Sequence, residues 1–174
     1  MRKVIILLCS LFLLPVVAKA EIPAWEWKPK YMGEMHIGYG TTADLMGRDA
    51  YVGRVMLGTL QGAQINEYLS IAAGIDAVMM THYYKGQDLR FAMNAYIDMR
   101  GYYPVTDKFS PFLDLAFGTG LDIHPWDSNN RPYFLCQFGP GLKYRKFVLS
   151  CGLQQLGVGN AGFSTFYVKV GLRF

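Results

Sequence analysis

The stretch that decides the fold is Phe163-Ser164-Thr165-Phe166-Tyr167-Val168-Lys169-Val170-Gly171-Leu172-Arg173-Phe174. In steps of two, Phe166, Val168, Val170, Leu172 and Phe174 share one face. Thr165, Tyr167, Lys169, Gly171 and Arg173 share the other. A helix would scatter both sets around its circumference. Only an extended strand turns successive side chains to opposite sides and keeps the two sets apart.

The same period recurs upstream. Leu69, Ile71, Ala73, Ile75, Ala77 and Met79 alternate with Ser70, Ala72, Gly74, Asp76 and Val78. Leu89, Phe91, Met93, Ala95, Ile97 and Met99 alternate with Arg90, Ala92, Asn94, Tyr96, Asp98 and Arg100. Shorter alternations run through Glu34–Tyr39 and Leu113–Gly118. The pattern weakens over residues 51–64, where glycines intervene and a β-bulge is expected. Turn residues divide the chain into eight strands, near 30–40, 50–64, 67–80, 88–103, 108–121, 132–144, 147–157 and 163–174.

The connections alternate in kind. Residues 65–67, 104–107 and 145–146 are short turns, whereas 41–49, 81–87, 122–131 and 158–162 are mostly longer and more polar. Strands of this length suit a membrane crossing, which takes ~9–11 tilted residues; soluble strands average only ~5–6. Aromatic residues gather at strand ends: Tyr31, Tyr39, Tyr51, Tyr68, Tyr83, Tyr84, Tyr102, Tyr103, Tyr133, Tyr144 and Phe174, with Trp25 and Trp27 ahead of the first strand. Amphipathic rings at these positions are expected to form two interfacial girdles. The expected architecture is therefore all-β: an eight-stranded antiparallel up-and-down transmembrane barrel, with short turns and both termini on the periplasmic side. A soluble ligand-binding barrel is the competing architecture.

Residues 1–20 read as a cleaved signal peptide: Arg2 and Lys3, an almost unbroken apolar run from Val4 to Val17, then Ala18-Lys19-Ala20. Residues 21–29 are then a periplasmic N-terminal segment and residues 30–174 the barrel. Three of the 17 basic residues belong to the signal, which leaves 14 against 13 acidic ones and a net charge of +1. That balance, with no basic cluster of the required kind, argues against nucleic-acid binding.

The stretch Ile97-Asp98-Met99-Arg100-Gly101-Tyr102-Tyr103-Pro104-Val105-Thr106-Asp107-Lys108-Phe109-Ser110-Pro111-Phe112-Leu113-Asp114 carries a strand ending in aromatics, a Pro-containing turn and a Ser-Pro-Phe strand opening. With the terminal Phe163–Phe174 strand, it resembles the small outer-membrane β-barrel domain proteins of Gram-negative bacteria, of OmpA, OmpX and porin-family type. The resemblance covers essentially the whole mature chain and is specific for architecture, not activity. It implies a monomer in the cell outer membrane, surrounded by membrane lipid and lipopolysaccharide. It also implies that Phe166, Val168, Val170, Leu172 and Phe174 form the signal read by the barrel-assembly machinery, with periplasmic chaperones as partners during export. No peptidoglycan-binding domain follows the barrel, so a wall-anchoring role is not expected.

With the apolar faces turned to lipid, the bore receives Glu34, His36, Arg54, Asp76, Arg90, Asn94, Asp98, Arg100, Asp114, Gln137, Lys143, Gln154 and Lys169. An eight-stranded bore is just wide enough for side chains to fill, and charges inside must be paired. The expected pairs join Asp98, Asp114 and Glu34 to Arg90, Arg100, Arg54 and Lys169. They form a static plug in preference to a gate or narrow pore.

No catalytic, metal or cofactor motif is found. His36, His82 and His124 lack second ligands at metal spacing. The lipid A deacylases among small barrels carry His and Ser two residues apart on one strand face, and this sequence contains no His-x-Ser. A rim site could be assembled only from His124, Asp127 and Ser128, or from His82 with Asp88; these read better as ordinary loop residues. The Gly-x-Gly runs precede no helix and are not dinucleotide fingerprints. If Arg145-Lys146 is a two-residue turn, Cys136 faces Gln155 and Cys151 faces Pro140. The thiols are then offset by four residues, roughly 13 Å, against the ~7 Å a disulfide tolerates. Two free, lipid-facing cysteines are expected. The functional expectation is a non-enzymatic envelope barrel with a structural or loop-mediated binding role. The alternatives are a lipid A-modifying enzyme and a narrow pore.

Overall fold

A computed structural model describes residues 29–42, 52–82, 89–123, 131–158 and 161–174. Every regular element among them is a strand: β1 (Lys30–Thr42), β2 (Val52–Gln64), β3 (Leu69–His82), β4 (Leu89–Tyr102), β5 (Phe109–Ile123), β6 (Arg131–Tyr144), β7 (Phe147–Val158) and β8 (Ala161–Arg173). Each pairs antiparallel with its sequence neighbours. β1 also pairs with β8, closing an all-β barrel. Closure removes the unpaired edges that an open sheet would expose.

The register sets the barrel's shape. Partners followed once round the wall run Met32, Gly62, Ala72, Asp98, Ala116, Gln137, Gln154, Thr165 and back to Thr42. The circuit returns to β1 ten residues further along, from Met32 to Thr42. That stagger, spread over eight strands, tilts them by roughly 40°. At this tilt a strand such as β1, with 13 residues, spans roughly 30 Å of height, the thickness of a bilayer's hydrocarbon core.

The two-residue period becomes an inside and an outside. Met35, Ile37, Leu57, Ile75, Met93, Ile97, Leu113, Phe134, Phe138, Leu153, Phe166, Val168, Val170 and Leu172 are exposed on the outer wall. A soluble barrel would leave this whole belt in water, far beyond the apolar patches such proteins tolerate. A lipid-embedded barrel requires it. Counted along the tilted strands, Tyr31, Tyr68, Tyr103, Tyr144, Phe147 and Phe174, all exposed, fall within roughly 5 Å of one level at the turn end. They form one aromatic girdle. Tyr102 and Tyr133 are not in a girdle: both rings point inward and are buried. Tyr51, Tyr83 and Tyr84, and residues 1–28, lie outside the described residues.

Side-chain acceptors hold the short turns. Asn66 Oδ1 accepts from the backbone N–H of Tyr68 and of Leu69, each at 2.9 Å, and Thr106 Oγ1 accepts from Phe109 N at 3.0 Å. The β6–β7 turn is the two-residue turn expected. Tyr144 pairs with Phe147 and Cys136 with Gln155, and Cys136 and Cys151 are free, half-buried and outward-facing. The bulge expected in β2 is absent, because both of its ladders run in unbroken register. What blurs the pattern there is Met56 and Leu60, apolar residues buried inside opposite apolar residues outside.

Candidate functional site in the barrel interior

The inward face of each strand delivers polar side chains to three stacked levels. At the turn end, the guanidinium of Arg100 on β4 forks onto Glu34 on β1, with Nη1 2.6 Å from Oε2 and Nη2 3.1 Å from Oε1. Its Nε lies 3.0 Å from Asp98 Oδ1, and Phe112 stacks beneath it at 5.0 Å. Below, Arg173 donates to the Tyr102 hydroxyl at 3.1 Å and to Gln64 Oε1.

At mid-height, Asp76 on β3 is the hub. Its Oδ1 accepts from the Tyr96 hydroxyl at 2.8 Å and faces His36 Nε2 at 2.9 Å; its Oδ2 accepts from Lys169 Nζ at 3.3 Å. Lys169 also donates to Gln137 Oε1 at 3.1 Å, and Gln137 Nε2 donates to Asp114 Oδ2 at 3.2 Å. The ammonium sits over the rings of Tyr96 and Tyr167, at 5.1 and 5.5 Å, where the ring faces help to stabilise it. Toward the loops, Arg54 donates to Gln154 Oε1 at 2.7 Å and Tyr133 to Asn94 Oδ1. Met56, Val78, Met80, Leu135 and Leu156 fill the space between them.

All of these charged groups but the half-buried Arg173 are buried, so each needs its partners: removing one member strands the others in a low-dielectric interior. Small residues make the room. A Cβ on Gly120 would lie 2.1 Å from the Tyr133 ring, and one on Gly74 2.5 Å from the Tyr96 ring.

The expected interior residues Glu34, His36, Arg54, Asp76, Asn94, Asp98, Arg100, Asp114, Gln137, Gln154 and Lys169 lie inside and buried. Lys143 is half-buried at the turn-side mouth, over Tyr102. The Arg90 side chain lies outside the described residues. The pairing follows the expectation at Arg100, which Glu34 and Asp98 share. It departs elsewhere: Asp114 bonds the Gln137 amide, Arg54 bonds Gln154, and Lys169 goes to Asp76. Partners across a tilted bore are chosen by height and reach, and linear alternation encodes neither. Tyr96 and Tyr133 also belong to the interior network, and spacing gave no hint of their roles beyond their parity.

Among the described residues, no group of three His, Cys, Asp or Glu side chains is arranged to hold a metal ion. The rim combinations of His124, Asp127 and Ser128, and of the His82 side chain with Asp88, lie outside the described residues. A shallow apolar groove of about 410 Å³ runs along the outer wall over Ile75, Met93, Ala95, Thr119, Leu121 and Pro132. It opens on the outer wall, not into the bore.

No family model matches the sequence, and no curated protein matches it. Solved structures do match in three dimensions. Neisserial surface protein A, NspA, aligns with TM-score 0.58 at 11% identity, covering 84% of this chain and 97% of its own. The outer membrane enzyme PagL aligns with TM-score 0.56 at 11% identity, covering 80% and 98%. The N-terminal β-barrel domain of Pseudomonas aeruginosa OprF aligns with TM-score 0.52 at 12% identity, covering 84% and 100%. The chain has the fold of the small eight-stranded outer-membrane barrels. An enzyme stands among these neighbours, so the fold does not choose an activity.

Proposed function

We propose that this chain is an integral outer-membrane barrel whose role is structural or loop-mediated binding, with neither catalysis nor conduction. The observation that supports this most directly is the cross-bracing of the bore. Arg100 ties β4 to β1, Lys169 ties β8 to β3 and β6, and Arg54 ties β2 to β7. Each tie joins strands that are not neighbours, so side chains from opposite walls meet across the lumen and leave a plug instead of a path. An interior built this way stiffens the wall and leaves the loops as the surface free to vary, the usual place for recognition on a rigid scaffold. Lipid, lipopolysaccharide and the assembly machinery are the partners this role requires.

Lipid A mass spectrometry on envelopes with and without the gene tests the non-enzymatic part. Identical acyl-chain number and length, with the folded barrel present in the outer membrane, is the expected result. A changed acyl pattern restored by the gene would replace this reading with a lipid-modifying enzyme.

A further inference from the structure

The turn-side rim carries its charge unevenly. Lys108 precedes β5, and Arg145 and Lys146 form the β6–β7 turn; all three are exposed. Backbone bonds draw the segments together: Arg145 N donates to Lys108 O at 2.8 Å, and Arg173 N donates to Lys146 O at 2.7 Å. Lys143 and Arg173 stand half-buried at the mouth just inside, over the Tyr102 ring at 5.4 and 5.7 Å. Five cations thus occupy the β5–β8 sector of one rim. The acids of the short turns are Asp107, beside Lys108, and Glu67, on the β2–β3 turn across the barrel. Among the described residues, no carboxylate lies within ion-pair distance of Lys108, Arg145 or Lys146.

The level of this cluster is set by its neighbours. Tyr103, Tyr144, Phe147 and Phe174 are exposed on the same sector and belong to the turn-side girdle. The Arg145 guanidinium sits over Tyr144 at 5.7 Å. Girdle aromatics lie at the headgroup level of a bilayer, so cations beside and below them meet lipid phosphates, not acyl chains. Arg145 is also held at φ 55°. This is the left-handed region that favours glycine, and a side chain there costs backbone energy. The turn carries an arginine where a glycine would be more comfortable.

We infer that the β5–β8 sector of the turn-side rim binds the headgroups of anionic phospholipids in the leaflet around the short turns, through Lys108, Arg145 and Lys146. The inference rests on the membrane placement proposed above. It matches the general behaviour of basic clusters at a membrane surface, where each cation strengthens binding to anionic lipid on the order of fivefold at low salt.

The test uses the full mature barrel reconstituted in nanodiscs holding equal amounts of phosphatidylglycerol and phosphatidylcholine, with retained lipids counted by native mass spectrometry. The wild type is expected to retain phosphatidylglycerol over phosphatidylcholine by fivefold or more. Lys108→Gln/Arg145→Gly/Lys146→Gln should bring the ratio close to one. Arg145→Gly removes a cation while relieving the backbone, so loss of binding there is not a loss of fold. Should the triple variant not fold, the wild type still decides the matter. Its ratio should collapse at about 0.5 M salt, where the Debye length is only ~4 Å, and inorganic phosphate at the lipid's concentration should not displace the lipid. Equal retention of both lipids, a ratio indifferent to salt, a folded triple variant that retains phosphatidylglycerol, or displacement by free phosphate would each overturn the inference. Failure of the wild type to insert into the nanodisc at all would instead refute the membrane placement.

Discussion

Replacing Arg100 with Met removes the one cation that Glu34 and Asp98 share. The arginine makes two hydrogen bonds to Glu34, at 2.6 and 3.1 Å, and a 3.0 Å ion contact to Asp98, and all three residues are at most 2% exposed. Met is apolar and unbranched, so the packing over Phe112 is largely kept and the loss is electrostatic. Breaking a buried pair from one side costs about 3–5 kcal/mol, because it leaves an uncompensated charge. Here two carboxylates are left, which places Arg100→Met at the upper end of that range. Arg100→Lys keeps the charge but loses the planar fork, and about 1–3 kcal/mol is expected. The decisive variant is the triple Glu34→Gln/Asp98→Asn/Arg100→Met. If the cost is stranded charge and not lost contact, removing the acids as well should recover most of it, leaving a deficit of about 1–2 kcal/mol. The assay is urea unfolding in lipid vesicles, followed by tryptophan fluorescence and by heat-modifiable gel mobility. An Arg100→Met variant within about 1 kcal/mol of wild type, or a triple variant no more stable than the single one, would refute the account of the interior as an ion-paired plug.

Three further outcomes follow. Gly120→Ala puts a Cβ 2.1 Å from the Tyr133 ring, whereas Gly101→Ala meets nothing within 4 Å; unfolding in vesicles should show the first losing about 1–3 kcal/mol and the second within about 0.5. Thiol alkylation without reductant, followed by mass spectrometry, should find Cys136 and Cys151 both free, and a bridged pair would contradict the β6–β7 register. Phe174 exchanges backbone hydrogen bonds with Gly33 at 2.9 and 3.1 Å, so deleting it unfastens the end of β8 at the β1 seam; the heat-modifiable fraction in cells should fall, and an unchanged fraction would remove the assembly role proposed for the terminal strand.

The sequence was most legible where each strand's two faces differ in chemistry. β8 alternates cleanly from Thr165 onward because its inward face carries Thr165, Tyr167 and Lys169 while Phe166, Val168, Val170 and Leu172 face outward, so both period and orientation are visible. β2 was harder to read. Its inward face mixes apolar with polar residues, and Met56 and Leu60 inside look like Val55 and Leu57 outside; a continuous strand therefore resembles one interrupted by a bulge. Tyr102 and Tyr133 sit near strand ends, as girdle residues would, and only their parity reveals that they point inward. The interior set followed from parity, but apart from the Arg100 pairs its pairing did not. Lys169 reaches Asp76 and Gln137 from β8 because a stagger of ten residues brings those positions within reach of its long side chain. That stagger belongs to the closed sheet and to no single strand.

The most direct test of the central claim, a lipid-embedded barrel with a closed bore, is planar-bilayer conductance of folded protein whose insertion is verified by heat-modifiable mobility. The account predicts silence across many insertions, with no unitary steps at either polarity. Steady, reproducible steps from wild-type protein would contradict it, and would turn the Asp76, Lys169 and Gln137 network from a plug into the wall of a pore.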